Sequence, residues 1–183
     1  MFLLFVQKGN KYIEFVGVTS MLVIVKKIDE ETIERLLSIY SESMESIQSN
    51  FKNKNEMIES YIFFLKSFIE NPKHLIIVEQ SEKTWVSGLR AIETEEGKWF
   101  LEAVETKPEE RRRGYGKELL EHAVAYLRKV GMNEVSCTIA ENNLKSQELH
   151  KKCGFVPTVE LPMNPWGEIE DGRILYKMKS STD

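Results

Sequence analysis

The chain has 183 residues, 42% hydrophobic and 30% charged, with a formal net charge of −4. That composition suits one folded domain with a proper core and argues against disorder, and a weakly acidic total excludes nucleic-acid binding driven by bulk charge. Any anion site must therefore be local.

Met1 to Val6 are apolar, but Lys8, Asn10, Lys11 and Glu14 soon interrupt them. The run is too short for a membrane span and has the wrong order for a signal peptide. Residues 1–20 read either as an extra hairpin or as an extension ahead of a start at Met21, and the sequence does not choose. Residues 21–28 form a strand pattern, with Asp29 placed to cap the helix after it. Ile33, Leu36, Leu37, Tyr40, Met44 and Ile47 recur at helical spacing. Lysines and asparagines at 52–55 interrupt that pattern. A second amphipathic run follows from Met57 through Tyr61, Leu65 and Phe68 to Ile69, and Pro72 ends it.

Three strands come next, Leu75–Val78, Trp85–Ile92 and Trp99–Thr106, joined by turns at Ser81-Glu82-Lys83 and Glu95-Glu96-Gly97. An antiparallel meander is the economical arrangement. After Pro108 a long helix carries Leu119, Leu120, Ala123, Val124, Leu127 and Val130 on one face, closed by Gly131. Val135–Ile139 is a strand, 144–153 a short helix closed by Gly154, and Phe155-Val156 starts another strand. Ile174, Tyr176 and Met178 alternate after the turn Asp171-Gly172. The order β-α-α-β-β-β-α-β-α-β-β is an α/β fold, an α+β sandwich, with residues 1–183 as a single domain.

The stretch Arg111-Arg112-Arg113-Gly114-Tyr115-Gly116 puts two glycines, a basic cluster and a helix start within six residues. Glycine lets backbone approach a ligand closely, and the free N–H groups and dipole of a helix start favour an anion. A nucleotide P-loop would need glycine where Arg111 stands, and a dinucleotide fingerprint would need it where Leu119 stands. The pattern Arg-x-x-Gly-x-Gly before a helix resembles instead the pyrophosphate loop of GNAT-superfamily N-acetyltransferases. The resemblance runs from about Trp99 to Phe155 and takes in Pro108, Asn143-x-x-Ser146 and Leu149-His150-Lys151-Lys152-Cys153-Gly154-Phe155. That last run is similar to the family's Leu-Tyr-x-Lys-x-Gly-Phe.

The resemblance implies the acyl-CoA N-acyltransferase fold, a mixed sheet of six to seven strands flanked by about four helices. It implies acetyl-coenzyme A as donor and a primary amine of a small molecule or peptide as acceptor. The diphosphate would lie on main-chain N–H groups of residues 112–117, helped by charge from Arg111, Arg112, Arg113 and Lys117 around Gly114, Tyr115 and Gly116. The pantetheine arm would run along Val104, Glu105 and Thr106, with Asn143 and Ser146 near the cofactor; Asn143 also suits a helix cap. An amine must lose a proton before it attacks, and a carboxylate on the preceding strand suits that task. Glu102, sharing a face with Val104 and Thr106 by strand alternation and opposite to Glu105, is the expected base. His150 stands where the family has tyrosine, so the departing thiolate meets a histidine that donates a proton, bonds the sulfur or does neither.

The same departure keeps open a different class, a non-catalytic acyl-CoA-binding sensor or partner-binding module of this fold. A nucleic-acid role for the arginine triplet is poor, since one short cluster makes few phosphate contacts. The resemblance leaves the oligomeric state open, a homodimer included. Cys137 and Cys153 read as reduced core thiols of a cytoplasmic protein, with no paired base that would make either a nucleophile. His74, His122 and His150 lack ligand spacing, so no metal is expected. Tyr40, Tyr61, Trp166 and the loop from Leu161 to Gly167 are the candidates to line an acceptor groove.

Overall fold

The computed structural model of the chain describes residues 20–179 and the backbone of two short paired strands, β1 (Val6–Gln7) and β2 (Asn10–Lys11). Apart from that pair, the expectation for residues 1–20 lies outside the described residues. β3 (Ser20–Ile24) leads to α1 (Glu30–Ile39), whose first turn is capped by the Asp29 carboxylate accepting from the Thr32 N–H at 3.0 Å. The expected single helix from Ile33 to Ile47 is two. Tyr40 leaves helical geometry (φ −93°, ψ 19°), and α2 (Ser41–Ile47) starts afresh, while Met44 still reaches the buried side. α3 (Lys54–Glu70) is capped by Asn53, which accepts from the Glu56 N–H at 3.0 Å.

The meander follows as expected: β4 (His74–Ser81), β5 (Thr84–Glu95) and β6 (Lys98–Thr106) pair antiparallel in turn. α4 (Tyr115–Lys129), β7 (Glu134–Ala140), α5 (Leu144–Lys152), β8 (Val156–Pro157) and β9 (Arg173–Lys179) complete the order. The mixed sheet has seven strands in the order β3-β4-β5-β6-β7-β9-β8, flanked by five α-helices among the described residues. The α/β fold class is as expected.

Two core layers cover the sheet. On one face Leu119, Leu120 and Leu127 of α4 pack on Leu89, Leu101, Val135 and Tyr176. On the other, Leu36 and Ile39 of α1 and Leu65 and Phe68 of α3 pack on Ile76, Val78 and Ile92. Each fully buried leucine contributes about 1.5–3 kcal/mol.

Two irregularities of β6 shape what lies between the layers. Between the pairs Gly88↔Glu105 and Arg90↔Glu102, β5 advances two residues (90 − 88) while β6 advances three (105 − 102). The extra residue is a β-bulge around Ala103, whose φ is 49°. The bulge inverts the alternation beyond it. Glu102 and Glu105, expected on opposite faces, both face the α1–α3 layer, while Val104 packs into the α4 layer with Leu101. Glu102 therefore does not share a face with Val104 and Thr106.

The second irregularity is a divergence. β6 and β7 run parallel but pair only at Lys98↔Glu134, Trp99↔Val135 and Phe100↔Ser136. β7 stays with β9 as far as Ala140↔Arg173. From Leu101 and Cys137 onward the two strands part.

Candidate active site

The divergence opens a cleft of about 970 Å³. Its floor is Leu101–Thr106 of β6 and Cys137–Ala140 of β7; α2, the starts of α4 and α5, and Asn164 and Trp166 of the loop before β9 form the sides. Every catalytic and cofactor-binding residue expected from the sequence lies on this cleft except Arg113, which stands in the loop between two residues that line it.

The loop ahead of α4 is built to leave donors free. Pro108–Glu110 make one tight turn, and Arg112 and Gly114 take positive φ, 63° and 96°. The N–H groups of Lys117 and Glu118 bond the Gly114 carbonyl at 2.9 and 3.1 Å. Those of residues 112–116 have no bonding partner among the described residues. The free row is thus one shorter than the expected 112–117, because Lys117 is already in the helix. Five unpaired donors at the positive end of a fifteen-residue helix fit an anion of diphosphate size. At Gly114 there is space for a Cβ and only the left-handed backbone calls for glycine; at Gly116 a Cβ would lie 3.2 Å from Thr106 Oγ1.

The basic side chains are more engaged than the sequence suggests. Arg111 donates to Glu42 Oε2 at 2.6 Å and to the Thr106 carbonyl at 3.1 Å, clasping α2 to the end of β6. Arg113 pairs with Glu110 and lies 5.4 Å from the Tyr115 ring centre, and Lys117 pairs with Glu121 at 2.7 Å. Arg112 has no ion pair among the described residues. The Tyr115 ring is buried, with its hydroxyl 2.9 Å from Ser81 Oγ, so this residue offers the cleft its main chain.

On β6 the two carboxylates differ. Glu102 Oε1 accepts from Arg90 Nε at 2.6 Å, with only 16% and 17% of the two side chains exposed, and the guanidinium stacks 4.9 Å over Phe64. Glu102 is thus engaged by Arg90 rather than left free to meet an amine, which counts against the expected base. Glu105 accepts from Ser43 Oγ and has no ion pair among the described residues; burial pushes its pKa above the ordinary carboxylate value.

Asn143 caps α5, its Oδ1 accepting from the Ser146 N–H at 3.1 Å. His150 is 2% exposed. Its Nδ1 lies 2.8 Å from the Ser146 carbonyl, which can only accept, so Nδ1 carries the proton and the neutral ring leaves Nε2 an acceptor. Nε2 is buried without a partner, and burial lowers the pKa. Donation to a thiolate would need the imidazolium, the form burial disfavours. Burial also pushes Cys137 up to about 12 and Cys153 up to about 11, which suits the core-thiol expectation.

Tyr40 and Tyr61 pack in the α1–α3 layer, ring centres 6.4 Å apart, and do not line the cleft. Trp166 does, 61% exposed, in a loop organised by Asn164 Oδ1 accepting from the N–H groups of Trp166 and Glu168, both at 3.0 Å. Sequence reasoning passed over Ser43, Arg90, Thr138 and Arg173. For Arg90 a signal existed: a charge inside an apolar strand needs a buried partner. The serine and threonine carried none. His74 packs on Phe68 and His122 bonds Glu79, and no group of three metal-binding side chains comes together among the described residues. No helix of the described residues is long and apolar enough to cross a membrane.

The acetyltransferase (GNAT) family model matches residues 33–155. Among similar solved structures is the PaiA N-acetyltransferase of Thermoplasma acidophilum in complex with coenzyme A, with 20% identity, 87% of this chain and 99% of that one covered, and a TM-score of 0.63. YncA of Salmonella typhimurium, a structure with acetyl-CoA, has 14% identity over 91% of this chain and 96% of its own, with a TM-score of 0.64. The ribosomal-protein-alanine N-acetyltransferase of Brucella melitensis has 19% identity over 86% and 99%, with a TM-score of 0.63. At these identities the likeness is one of fold. No curated protein sequence matches the chain.

Proposed function

Since the chain belongs to the GNAT acetyltransferase family, we propose that it is an N-acetyltransferase moving an acetyl group directly from acetyl-CoA to a primary amine. The observation that carries this reading is the meeting of a row of unpaired N–H groups and an open strand edge in one cleft. The N–H row of residues 112–116 suits the diphosphate, and the edge of β6 that β7 abandons suits an extended amide-bearing arm at Val104–Thr106. Arg112 adds a charge that is not already paired, and Asn143 and Ser146 border the same end. Acetyl-CoA supplies the thioester; the protein's work is to place it and to deliver a neutral amine.

No acid at His150 is required. A thiol with a pKa of about 8.5 leaves readily as thiolate. In this reading His150 packs and orients the end of α5 against Phe155, whose ring centre is 5.3 Å away.

Calorimetry with acetyl-CoA, followed by thiol release over a panel of primary amines, tests the proposal. Binding with amine-dependent release supports it. Binding with no release on any amine supports the non-catalytic acyl-CoA-binding module, and absence of binding removes both.

A further inference from the structure

Four carboxylates line the cleft away from the α4 loop: Glu42, Glu102, Glu105 and Glu170. Glu42 is paired with Arg111 at 2.6 Å, Glu102 with Arg90 at 2.6 Å and Glu170 with Arg173 at 3.6 Å. Glu105 has no cation among the described residues; its one hydrogen bond comes from Ser43 of α2. The bulge at Ala103 is what turns Glu105 to this side. Opposite it on β5 stands Gly88, so no side chain of the neighbouring strand covers it, and the Tyr40 hydroxyl, itself buried without a partner, lies over that glycine.

Resting on the transferase reading above, we propose that Glu105 is the acceptor site: it holds the incoming amine as its ammonium and removes the proton that blocks attack. The α2–β6 wall carries three carboxylates and the two arginines that pair with them, so one negative charge remains, on Glu105. A cationic primary amine completes it and an anionic acceptor does not. In the reaction one N–H bond of the ammonium breaks and its proton passes to a Glu105 oxygen. The freed nitrogen lone pair forms the C–N bond to the thioester carbonyl carbon. The C–S bond breaks, its electron pair leaving with sulfur, and a second nitrogen proton neutralises the thiolate. Glu105 returns its proton to water, leaving amide, thiol and one proton.

The surroundings tune the carboxylate for this. Glu42 faces it from α2, Arg111 from the loop, Arg90 from β5, Glu102 from its own strand, and Tyr40 and Tyr61 from the helical layer. Burial dominates and raises the pKa above the ordinary carboxylate value, while the Ser43 hydrogen bond opposes the rise.

The test uses n-butylamine as probe on the full chain and the variants Glu105→Gln and Ser43→Ala. It reads acetyl-CoA affinity by calorimetry, butylammonium binding to the coenzyme-A-loaded protein by NMR titration, and thiol release from pH 5 to 9. Glu105→Gln should bind acetyl-CoA as the parent does, lose at least about tenfold in butylammonium affinity and lose about a hundredfold or more in rate together with the acidic limb. Ser43→Ala should move that limb to higher pH, a shift a merely structural serine would not produce. Equal butylammonium affinity in parent and Glu105→Gln overturns the proposal, as does absence of butylammonium binding to the parent. Glu105-dependent binding without thiol release leaves the holding role and overturns the base. Failure to bind acetyl-CoA defeats the transferase reading by itself, an outcome that no Glu105 variant mimics.

Discussion

The two sides of the cleft treat polar groups in opposite ways. On the α4 side the N–H groups of residues 112–116 are left without partners, and the nearby charges of Arg113 and Lys117 are paired within the same loop and helix. On the α2–β6 side the backbone bonds are those of strand and helix apart from the bulge at Ala103, and the side chains meet across long sequence separations: Glu42 pairs with Arg111, 69 residues away, and Ser43 donates a hydrogen bond to Glu105, 62 away. The first side is a site made by backbone conformation, so it tolerates much side-chain change but little change of φ. The second is made by partner choice, so single charge removals disturb it. The comparison suggests that one side serves an invariant ligand and the other a particular acceptor.

The largest effect should come from breaking the backbone side. Gly114→Val forces a β-branched residue toward φ 96°, although its Cβ has room, with Glu118 Oε1 3.9 Å away. The strain costs about 1–3 kcal/mol in fold stability. Losing two charge-assisted N–H bonds, each about 1.5–3 kcal/mol, should weaken acetyl-CoA binding about a thousandfold. Unchanged affinity by calorimetry would remove the loop from the cofactor site. Glu102→Gln probes the partner side: it strands the Arg90 charge and should lower urea stability by about 3 kcal/mol. A loss in rate with stability intact would restore Glu102 as the base.

His150 belongs to neither side and lines the cleft from α5. His150→Phe should lower turnover by less than about tenfold, below the usual range for a general acid, with no change in profile above pH 6.5; a hundredfold loss there would restore the donor. Its folded pKa is depressed below 6.5, so as pH falls through that value the unfolded chain takes up a proton first. Stability is therefore full above pH 6.5 and declines below it, and the melting temperature of the Phe variant should lack that part of the decline. Smallest of all, both thiols should stay silent to a thiol reagent at pH 8 in the native protein and react after unfolding, since burial holds them at about 12 and about 11. Rapid native labelling of Cys137 would show that the β7 side of the cleft opens.

Much of the molecule was legible because its signals are local. Hydrophobic spacing located α3 and α4, capping residues marked Asp29 and Asn143, and turn glycines located Gly131 and Gly154. The break at Tyr40 escaped because Met44 keeps the helical spacing across it. β8 is only two residues long and ends at Pro157, which can donate nothing to a ladder. On the site, the loop glycines were legible and the engagement of Arg111 was not, since Glu42 is a helix surface residue like many others until the fold brings it within 2.6 Å.

The sequence by itself determined the family, the loop glycines and the element order apart from the break at Tyr40, because glycine conformation, helix starts and apolar periodicity act over a few residues. Only the tertiary structure decided which carboxylate is free. A bulge at Ala103 adds one residue to β6, and a period of two converts that single insertion into a change of face for Glu105. Alternation counted along the chain cannot register such an insertion, because the extra residue is defined only against the partner strand.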